Sequence, residues 1–380
     1  MAVAPEPGSS GGGQPCGPLT YKKEALYKTG FTQFPEDYLS RRAELVEHFF
    51  ELPDKRKICY WTDGDKASGV PILCFHGGCE GKSKWMQKKT IPGVFLIAID
   101  RPNYGRSSPV PLTYAFPDVV KDIGLLADHL GLDQFVCMGH SVGTCWCQQI
   151  AAALPNRVRG IILFAAMTDP CDPTADLDVK LAVGYYPMKD CGPCGKWDCC
   201  CHPFTGLCGC IPRKILMSMT GLSMKSMACK MEMQFKKGGK TGYEKFIQDP
   251  FWQASMVDSW CAHEDGKAIL GDTKRTLCNK WTYNTSDIKC PVFIYQGDGD
   301  MDVQVPATTN QLQKLLPHAK IEIIHDYGHI CTNGPNDETV RRVLKAVAEM
   351  PRLDASRDTQ TSKDTPEPGA AITTVTNNNA

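Results

Sequence analysis

Short apolar runs alternate with helical patterns along most of the chain. Each run is continuous and bounded by turn residues, which is typical of strands buried on both faces of a parallel sheet. The predicted strands are PILCFHG (71–77), GVFLIAID (93–100), QFVCMGH (134–140), RGIILFAA (159–166), PVFIYQGD (291–298) and KIEIIHDYGH (320–329). Apolar positions at helical spacing predict helices over 116–132, 144–155 and 337–350. Strand–helix alternation predicts an α/β fold with a mostly parallel central sheet flanked by helices.

Residues 167–288 interrupt this alternation. The segment is rich in Cys, Met and Trp, contains helical patterns and has no convincing strand. We interpret it as a mainly helical cap inserted between two parts of one core, 21–166 and 289–351. Residues 1–20 and 352–380 contain almost nothing to bury, which predicts disordered tails.

The charge balance and the termini limit the classes of partner. A formal net charge of zero provides no basic field for nucleic acid, so we expect no such partner. The N-terminus lacks the cationic start and apolar centre of a signal peptide, and no window approaches the roughly 18 apolar residues of a membrane span. We therefore expect a cytoplasmic protein whose 20 cysteines are reduced.

The sequence Gly139-His140-Ser141-Val142-Gly143 directly follows one predicted strand and precedes a predicted helix. A G-x-S-x-G pattern in this context is typical of a nucleophile elbow, a sharp turn that projects a serine hydroxyl from the edge of the sheet. The N-terminus of the following helix would direct free N–H groups towards the reacting oxygen. We therefore predict that Ser141 is a nucleophile. The alternative is a Gly-Ser turn in an ordinary α/β protein.

A serine nucleophile needs a base, and a histidine base needs a carboxylate that fixes its tautomer. His329 follows the last predicted strand, and the preceding Gly328 gives its loop the freedom to return over the sheet edge. Asp300 lies in the loop after the preceding strand, with Asp298 and Asp302 as close competitors. We predict that His329 is the base and Asp300 its acidic partner.

Acyl transfer also needs donors that hold the negative oxygen of the tetrahedral intermediate. The sequence His76-Gly77-Gly78-Cys79 follows a predicted strand, and its glycines allow the backbone to approach a substrate. We predict an oxyanion hole formed by the N–H groups of Gly78 and Val142, with Cys79 as the next choice after Gly78. His76 is interpreted as a structural hydrogen-bonding residue.

Together these motifs resemble the α/β-hydrolase superfamily, specifically its capped branch of esterases, lipases and prolyl iminopeptidases. The resemblance covers about residues 55–166 and 280–350, and it includes the segments PILCFHGG, IDRPNYGRSS, GHSVG, GDGDMD and DYGH. The chain order Ser, Asp, His is also that of the superfamily. The resemblance implies an α/β-hydrolase fold and hydrolysis of a carboxylic ester or similar acyl substrate through an acyl-enzyme, with no cofactor and no metal.

Two further functions stay open. A prolyl iminopeptidase-like aminopeptidase would need cap acids for the α-amino group of its substrate, and the candidates are Glu232, Asp258, Glu264 and Asp265. A non-catalytic receptor or scaffold with the hydrolase fold would not need the complete Ser-His-Asp set, and such proteins often lack one of its members.

The predicted cap carries features that the catalytic motifs do not explain. Eight cysteines lie between Cys171 and Cys210. The spacing Cys191-x-x-Cys194 suits structural zinc, but three consecutive cysteines, 199–201, cannot all reach one tetrahedral centre. The alternatives are lipid attachment at the Cys191–Cys210 cluster, which would hold the cap against a membrane, and an inert thiol-rich loop.

Apolar side chains elsewhere in the cap suggest the substrate class. Six methionines lie within residues 215–235, and flexible thioethers adapt to varied ligands. Phe251, Trp252 and Trp260 follow in a predicted helix over 249–260. These residues would line an apolar pocket, which predicts a small-molecule acyl substrate with an apolar acyl group. Core packing of the cap is the slightly favoured explanation of the methionines.

Overall fold

A computed structural model describes residues 14–15, 34–78, 80–175, 178–179, 249–260, 268, 271–272, 274–300, 302–332 and 338–353. The strands in these ranges are β1 (Gln14–Pro15), β2 (Val46–Glu51), β3 (Lys57–Asp63), β4 (Val70–Phe75), β5 (Val94–Ile99), β6 (Phe135–His140), β7 (Val158–Phe164), β8 (Val292–Gly297) and β9 (Lys320–Ile324). They form one sheet in the order β1-β2-β3-β5-β4-β6-β7-β8-β9.

The sheet is mostly parallel, as predicted. Strand β4 pairs in parallel with β5 and β6, and the parallel pairing continues through β7 and β8 to β9. Strands β1, β2 and β3 pair antiparallel, and β3 joins β5 in the same sense. Every residue of β5, β6, β7 and β8 is buried, which explains their continuous apolar sequences.

Helices flank the sheet on both faces. They are α1 (Glu36–Glu44), α2 (Phe116–His129), α3 (Val142–Ala153), α4 (Pro250–Trp260), α5 (Ala307–Leu315) and α6 (Glu338–Ala348). Because side chains alternate between the faces of a strand, β4 contributes to two hydrophobic clusters. Leu73 and Phe75 pack with residues of α2 and α3, whereas Ile72 and Cys74 pack with residues of α1, α4 and α6.

Most predicted boundaries differ from the structure by a few residues, and two examples concern loops that carry candidate residues. The helix expected from residue 144 begins at Val142, because it starts immediately after the turn. The strand expected over 320–329 ends at Ile324, so residues 325–329 form a loop. Helix α4 lies within the predicted cap, whereas most of that segment and of both predicted tails lies outside the described residues.

Candidate active site

The turn between β6 and α3 consists of a single residue, Ser141. Its backbone angles, φ 51° and ψ −122°, are rare for any residue other than glycine. A Cβ on Gly143 would lie 2.1 Å from the Phe75 carbonyl oxygen, and one on Gly139 would lie 2.6 Å from the Gly143 carbonyl oxygen. Side chains are therefore excluded on both sides of the turn, which is the physical reason for the G-x-S-x-G pattern.

Hydrogen bonds from neighbouring elements hold this strained turn. The Ser141 N–H donates to the Phe164 carbonyl oxygen (3.0 Å) at the end of β7. The Thr144 hydroxyl donates to the Ser141 carbonyl oxygen (2.6 Å) and accepts from the Met167 N–H (3.0 Å). Backbone strain of this kind persists where surrounding contacts fix the conformation, and such positions cluster at functional sites.

Asp300 and His329 meet at the carboxyl ends of β8 and β9. The Nδ1 atom of His329 lies 3.0 Å from Oδ2 and 3.1 Å from Oδ1 of Asp300. Asp300 Oδ1 accepts the N–H groups of Asp302 and Val303, both at 2.8 Å, and Oδ2 accepts Nε2 of Gln296 at 2.9 Å. The carboxylate is therefore buried, oriented and directed at the imidazole.

A close backbone approach brings the two loops together. A Cβ on Gly297 would lie 2.4 Å from the Tyr327 carbonyl oxygen, so only glycine fits at the end of β8. The Gly299 N–H donates to the same carbonyl oxygen at 2.9 Å. The loop before His329 thus packs directly on the loop that carries Asp300.

The competing acids make other contacts. Asp298 pairs with His325 at 3.1 Å, and both side chains are exposed. Asp302 is also exposed, although its charge still acts on His329. Of the three candidate acids, Asp300 is the one whose carboxylate is hydrogen-bonded to the His329 ring.

The electrostatic environment favours the protonated form of His329. Burial acts to lower the pKa of His329, but the Asp300 carboxylate outweighs this effect and raises the pKa to about 9. Asp302 and Glu80 act in the same direction as Asp300. An imidazolium formed here during a reaction would therefore be stabilised.

Ser141 and His329 both belong to the described residues, and no hydrogen bond joins them, although the residue before Ser141 lies close to His329. The ring of His140, the residue before Ser141, lies 5.0 Å from the His329 ring, measured between centroids. Bonds between nucleophile and base are often longer without substrate.

The turn 76–78 carries the predicted donor Gly78 and is here called the oxyanion turn after that prediction. It approaches the start of α3. A Cβ on Gly78 would lie 3.4 Å from Cγ2 of Val142. The Val142 N–H belongs to the first turn of α3, whose N–H groups have no intrahelical acceptor. The two predicted donors therefore lie beside each other and next to Ser141.

Arg101 and His76 set the orientation of the Gly78 N–H. The Gly77 carbonyl oxygen accepts Nη2 of Arg101 (2.8 Å) and Nδ1 of His76 (2.9 Å). The Arg101 N–H in turn donates to Nε2 of His76 (3.1 Å). Because the Gly77 carbonyl and the Gly78 N–H share one planar trans peptide, fixing the carbonyl directs the N–H to the opposite side.

Arg101 links the oxyanion turn to the predicted cap. Its Nη1 lies 2.6 Å from Oδ1 of Asp272, whose Oδ2 accepts the Tyr104 hydroxyl at 2.6 Å. Arg275 also contacts Asp272, at 3.3 Å. Arg101, Asp272 and Arg275 are all buried, so two guanidinium groups share one carboxylate.

The aromatic residues of helix α4 were predicted to line a pocket, but two of them pack in the core instead. Phe251 is 1% exposed and Trp252 is 3% exposed, and both belong to a hydrophobic core cluster. The Phe251 ring packs edge-on against Tyr38 of α1, at 5.3 Å between centroids. These aromatics therefore fix the helix to α1; the Trp260 side chain lies outside the described residues.

Sequence reasoning missed two charged residues beside the oxyanion turn. Glu80 and Lys84 are 5% and 3% exposed and form an ion pair at 3.0 Å. Charged residues in a predicted loop are usually exposed, and no motif marks these two. The i, i+4 spacing of opposite charges was the one available signal.

Several predicted features lie outside the described residues: Cys79, the Cys191–Cys210 cluster, residues 215–235, Glu232, Glu264 and Asp265. In the part of the chain that is described, no three His, Cys, Asp or Glu side chains are grouped as metal ligands. In the same part, no helix combines the length and apolarity that crossing a membrane requires.

Comparisons with known proteins point to one fold family. The family model for the alpha/beta hydrolase fold matches residues 70–187. A proline iminopeptidase of Neisseria gonorrhoeae is 32% identical over 108 residues, 27% of this chain and 35% of the relative. The chain thus matches about a third of the length of that relative. A non-heme haloperoxidase of Rhodococcus erythropolis is 23% identical over 290 residues, 75% of this chain and 94% of the relative.

Solved structures agree on the fold at low sequence identity. The esterase RhEst1 from Rhodococcus sp. ECU1013 has a TM-score of 0.55 and 14% identity, covering 80% of this chain and 99% of its own. A bromoperoxidase from Bacillus anthracis has a TM-score of 0.55 and 17% identity, covering 80% of this chain and 100% of its own. The sheet order, the flanking helices and these matches agree that the chain has the α/β-hydrolase fold.

Proposed function

We propose that the chain is a serine hydrolase that cleaves a carboxylic ester with an apolar acyl group, using Ser141, His329 and Asp300. The match of residues 70–187 to the family model for the alpha/beta hydrolase fold supports hydrolase activity. The observation that carries the proposal is the strained Ser141 turn next to a histidine whose Nδ1 is held by a buried carboxylate. A nucleophile, an oriented base and adjacent N–H donors are the groups that acyl transfer requires.

In the proposed first half-reaction, Nε2 of His329 accepts the Ser141 proton while Oγ forms a bond to the ester carbonyl carbon. The carbonyl electron pair moves to the oxygen, and the N–H groups of Gly78 and Val142 stabilise that negative charge. Collapse of the intermediate breaks the bond to the alcohol oxygen, which receives the proton from His329. The product is an alcohol and an acyl-enzyme on Ser141.

Water completes the proposed cycle. His329 accepts a proton from water, whose oxygen attacks the acyl carbon, and the carboxylic acid leaves as the proton returns to the Ser141 oxygen. Asp300 stabilises the imidazolium in both halves, because its carboxylate faces Nδ1 and stays charged.

The aminopeptidase alternative receives less support. Of its four candidate acids, Asp258 is the one within the described residues, and its carboxylate accepts the Tyr38 hydroxyl (2.5 Å) and Nε of Arg42 (3.2 Å). A buried carboxylate engaged by Tyr38 and Arg42 is poorly placed to bind a substrate amine. The scaffold alternative leaves the strained turn and the oriented histidine without a role.

A panel of p-nitrophenyl esters from acetate to laurate tests the proposal, together with proline p-nitroanilide. We expect turnover of the esters to exceed that of the anilide, with a preference for longer acyl chains, and to be lost in Ser141→Ala. Ser68→Ala, which changes an exposed serine in the turn before β4, serves as the matched control and should retain activity. Preferred cleavage of the anilide would support the aminopeptidase, and no turnover of either class would support the scaffold.

A further inference from the structure

A buried carboxylate, that of Glu80, lies where the oxyanion turn meets the turn at Ser141. Glu80 Oε2 accepts the Gly77 N–H at 2.7 Å and lies 3.0 Å from Nδ1 of His140. A Cβ on Gly77 would lie 2.6 Å from Glu80 Oε2 and 2.9 Å from Nδ1 of His140, so a larger residue at this position would break the contact. The absence of a side chain at Gly77 therefore allows Glu80 to reach His140.

The ring of His140 lies between two acceptors. On one side is the Glu80 carboxylate, and on the other the backbone carbonyl oxygen of His329 lies 2.9 Å from Nε2. A neutral ring carries one N–H and donates to one of these two oxygens, whereas a doubly protonated ring donates to both. Burial acts to raise the pKa of Glu80, but His140 and Lys84 outweigh it and hold that pKa well below its usual range.

We infer that Glu80 and His140 are positioning residues, which tie the oxyanion turn to the loop that carries His329. This inference rests on the proposed function. The chain of contacts runs from the Gly77 N–H through Glu80 and His140 to the main chain of His329, and it passes directly beside Ser141. It therefore fixes the separation of the oxyanion turn, Ser141 and the loop that carries His329, all of which the proposed acyl transfer needs. Displacements of about 1 Å between such groups can lower the rate on the order of 100-fold.

The same carboxylate also acts electrostatically on His329. Asp300, Asp302 and Glu80 all raise the pKa of His329, against the effect of burial. Burial lowers the pKa of His140, Glu80 opposes that effect, and Lys84 and His329 lower it further. Removing the charge of Glu80 should therefore lower the pKa of His329, which a purely structural defect would not do.

Glu80→Gln tests the inference, with p-nitrophenyl butyrate as the substrate. We expect kcat to fall about ten- to a hundredfold with KM changed less than about threefold, since the substrate contacts stay and the alignment is lost. The acid limb of the kcat/KM profile should move to lower pH. Glu80→Asp, which keeps the charge with a shorter reach, should lower kcat but keep the acid limb close to that of the unmodified protein.

Lys84→Met is the control for removing a buried charge at the same site. It leaves the Glu80 carboxylate in place, so the acid limb should stay or move to higher pH. If Glu80→Gln does not fold, Glu80→Asp together with Lys84→Met still tests the sign of these changes. The inference would be overturned if the acid limb moved to lower pH by the same amount in Glu80→Gln and in Lys84→Met. It would also be overturned if Glu80→Gln kept both the kcat and the acid limb of the unmodified protein. An acid limb that moves down in Glu80→Asp would also overturn it.

The two proposals can fail separately. If the unmodified protein does not hydrolyse the ester, or does so without Ser141, the proposed function fails whatever the Glu80 variants do. If hydrolysis depends on Ser141 and the Glu80 variants behave as the unmodified protein does, only the positioning role fails.

Discussion

Replacing Asp300 with Asn should remove activity through the tautomer of His329. Asp300 Oδ1 accepts two backbone N–H groups, from Asp302 and Val303, so the amide oxygen of Asn should take that position. The amide nitrogen then faces Nδ1 of His329 as a donor, and Nδ1 must become an acceptor. The ring proton moves to Nε2, where a base for Ser141 needs a free electron pair.

The expected magnitudes follow from the contacts of His329. The wrong tautomer should reduce kcat by about 10⁴, which corresponds to about 5 kcal/mol in the barrier. The pKa of His329 is raised from 6.5 to about 9, mainly because Asp300 outweighs the effect of burial. At about 1.4 kcal/mol per pH unit, this difference represents about 3 kcal/mol of preference for the imidazolium in the folded state.

The sign of the pH dependence follows from the raised pKa. Since the folded-state pKa exceeds the unfolded value, this stabilisation is present in full below about pH 6.5 and is lost as the pH rises through about 9. Hydrolysis needs the neutral ring, so kcat/KM of the unmodified protein should rise with pH up to about 9. In Asp300→Asn, the pH dependence of stability and the pH dependence of kcat/KM should both weaken.

Urea unfolding and ester hydrolysis between pH 6 and pH 10 measure these two effects on the same samples. The unmodified protein should have a higher free energy of unfolding than Asp300→Asn at pH 6. This stability difference should be about 3 kcal/mol larger at pH 6 than at pH 10. A stability difference that does not vary with pH would refute the electrostatic reasoning. A loss of activity below about tenfold would move the acidic role to another residue.

Two further substitutions and one control variant test the packing around the site. Gly143→Ala should destabilise by about 1–3 kcal/mol or more, because its Cβ meets the Phe75 carbonyl oxygen at 2.1 Å. Gly124→Ala, in α2 with no atom within 4 Å of the added Cβ, should stabilise by about 0.5–1 kcal/mol; equal urea midpoints for the two variants would contradict this account. Asp272→Asn leaves the buried cations Arg101 and Arg275 without their carboxylate. It should lower the free energy of unfolding, measured by thermal unfolding, by about 3–5 kcal/mol. A cost below about 1 kcal/mol would mean that the ion pairs contribute little.

The sheet and the turn at Ser141 could be predicted because local sequence determines them. Strands buried on both faces leave continuous apolar runs, and the backbone approach at Gly139 and Gly143 leaves glycines at fixed spacing. Strands β1, β2 and β3 and helices α1 and α5 were not among the predicted elements. The sequence of β2, VEHFFE, contains two charged residues and a histidine, and Glu47 is its one buried residue. Its apolar signal is therefore weak.

The contacts around the site could not be predicted because they join distant parts of the chain. Glu80 meets His140 across 60 residues, and Arg101 meets Asp272 across 171. Periodicity does not report which loops share the carboxyl edge of a sheet, nor which charges are buried there. Asp300 could be chosen over Asp298 and Asp302 from its loop position alone, but its bond to His329 depends on the approach of Tyr327 to Gly297.

The central claim is that Ser141 is the nucleophile, and covalent labelling with a fluorophosphonate probe tests it most directly. Intact-mass measurement should show one adduct on the unmodified protein, and peptide mapping should place that adduct on Ser141. Ser141→Ala, with an unchanged circular dichroism spectrum, should show no adduct. An adduct of equal yield on the Ser141→Ala protein, or on a different residue of the unmodified protein, would contradict the claim.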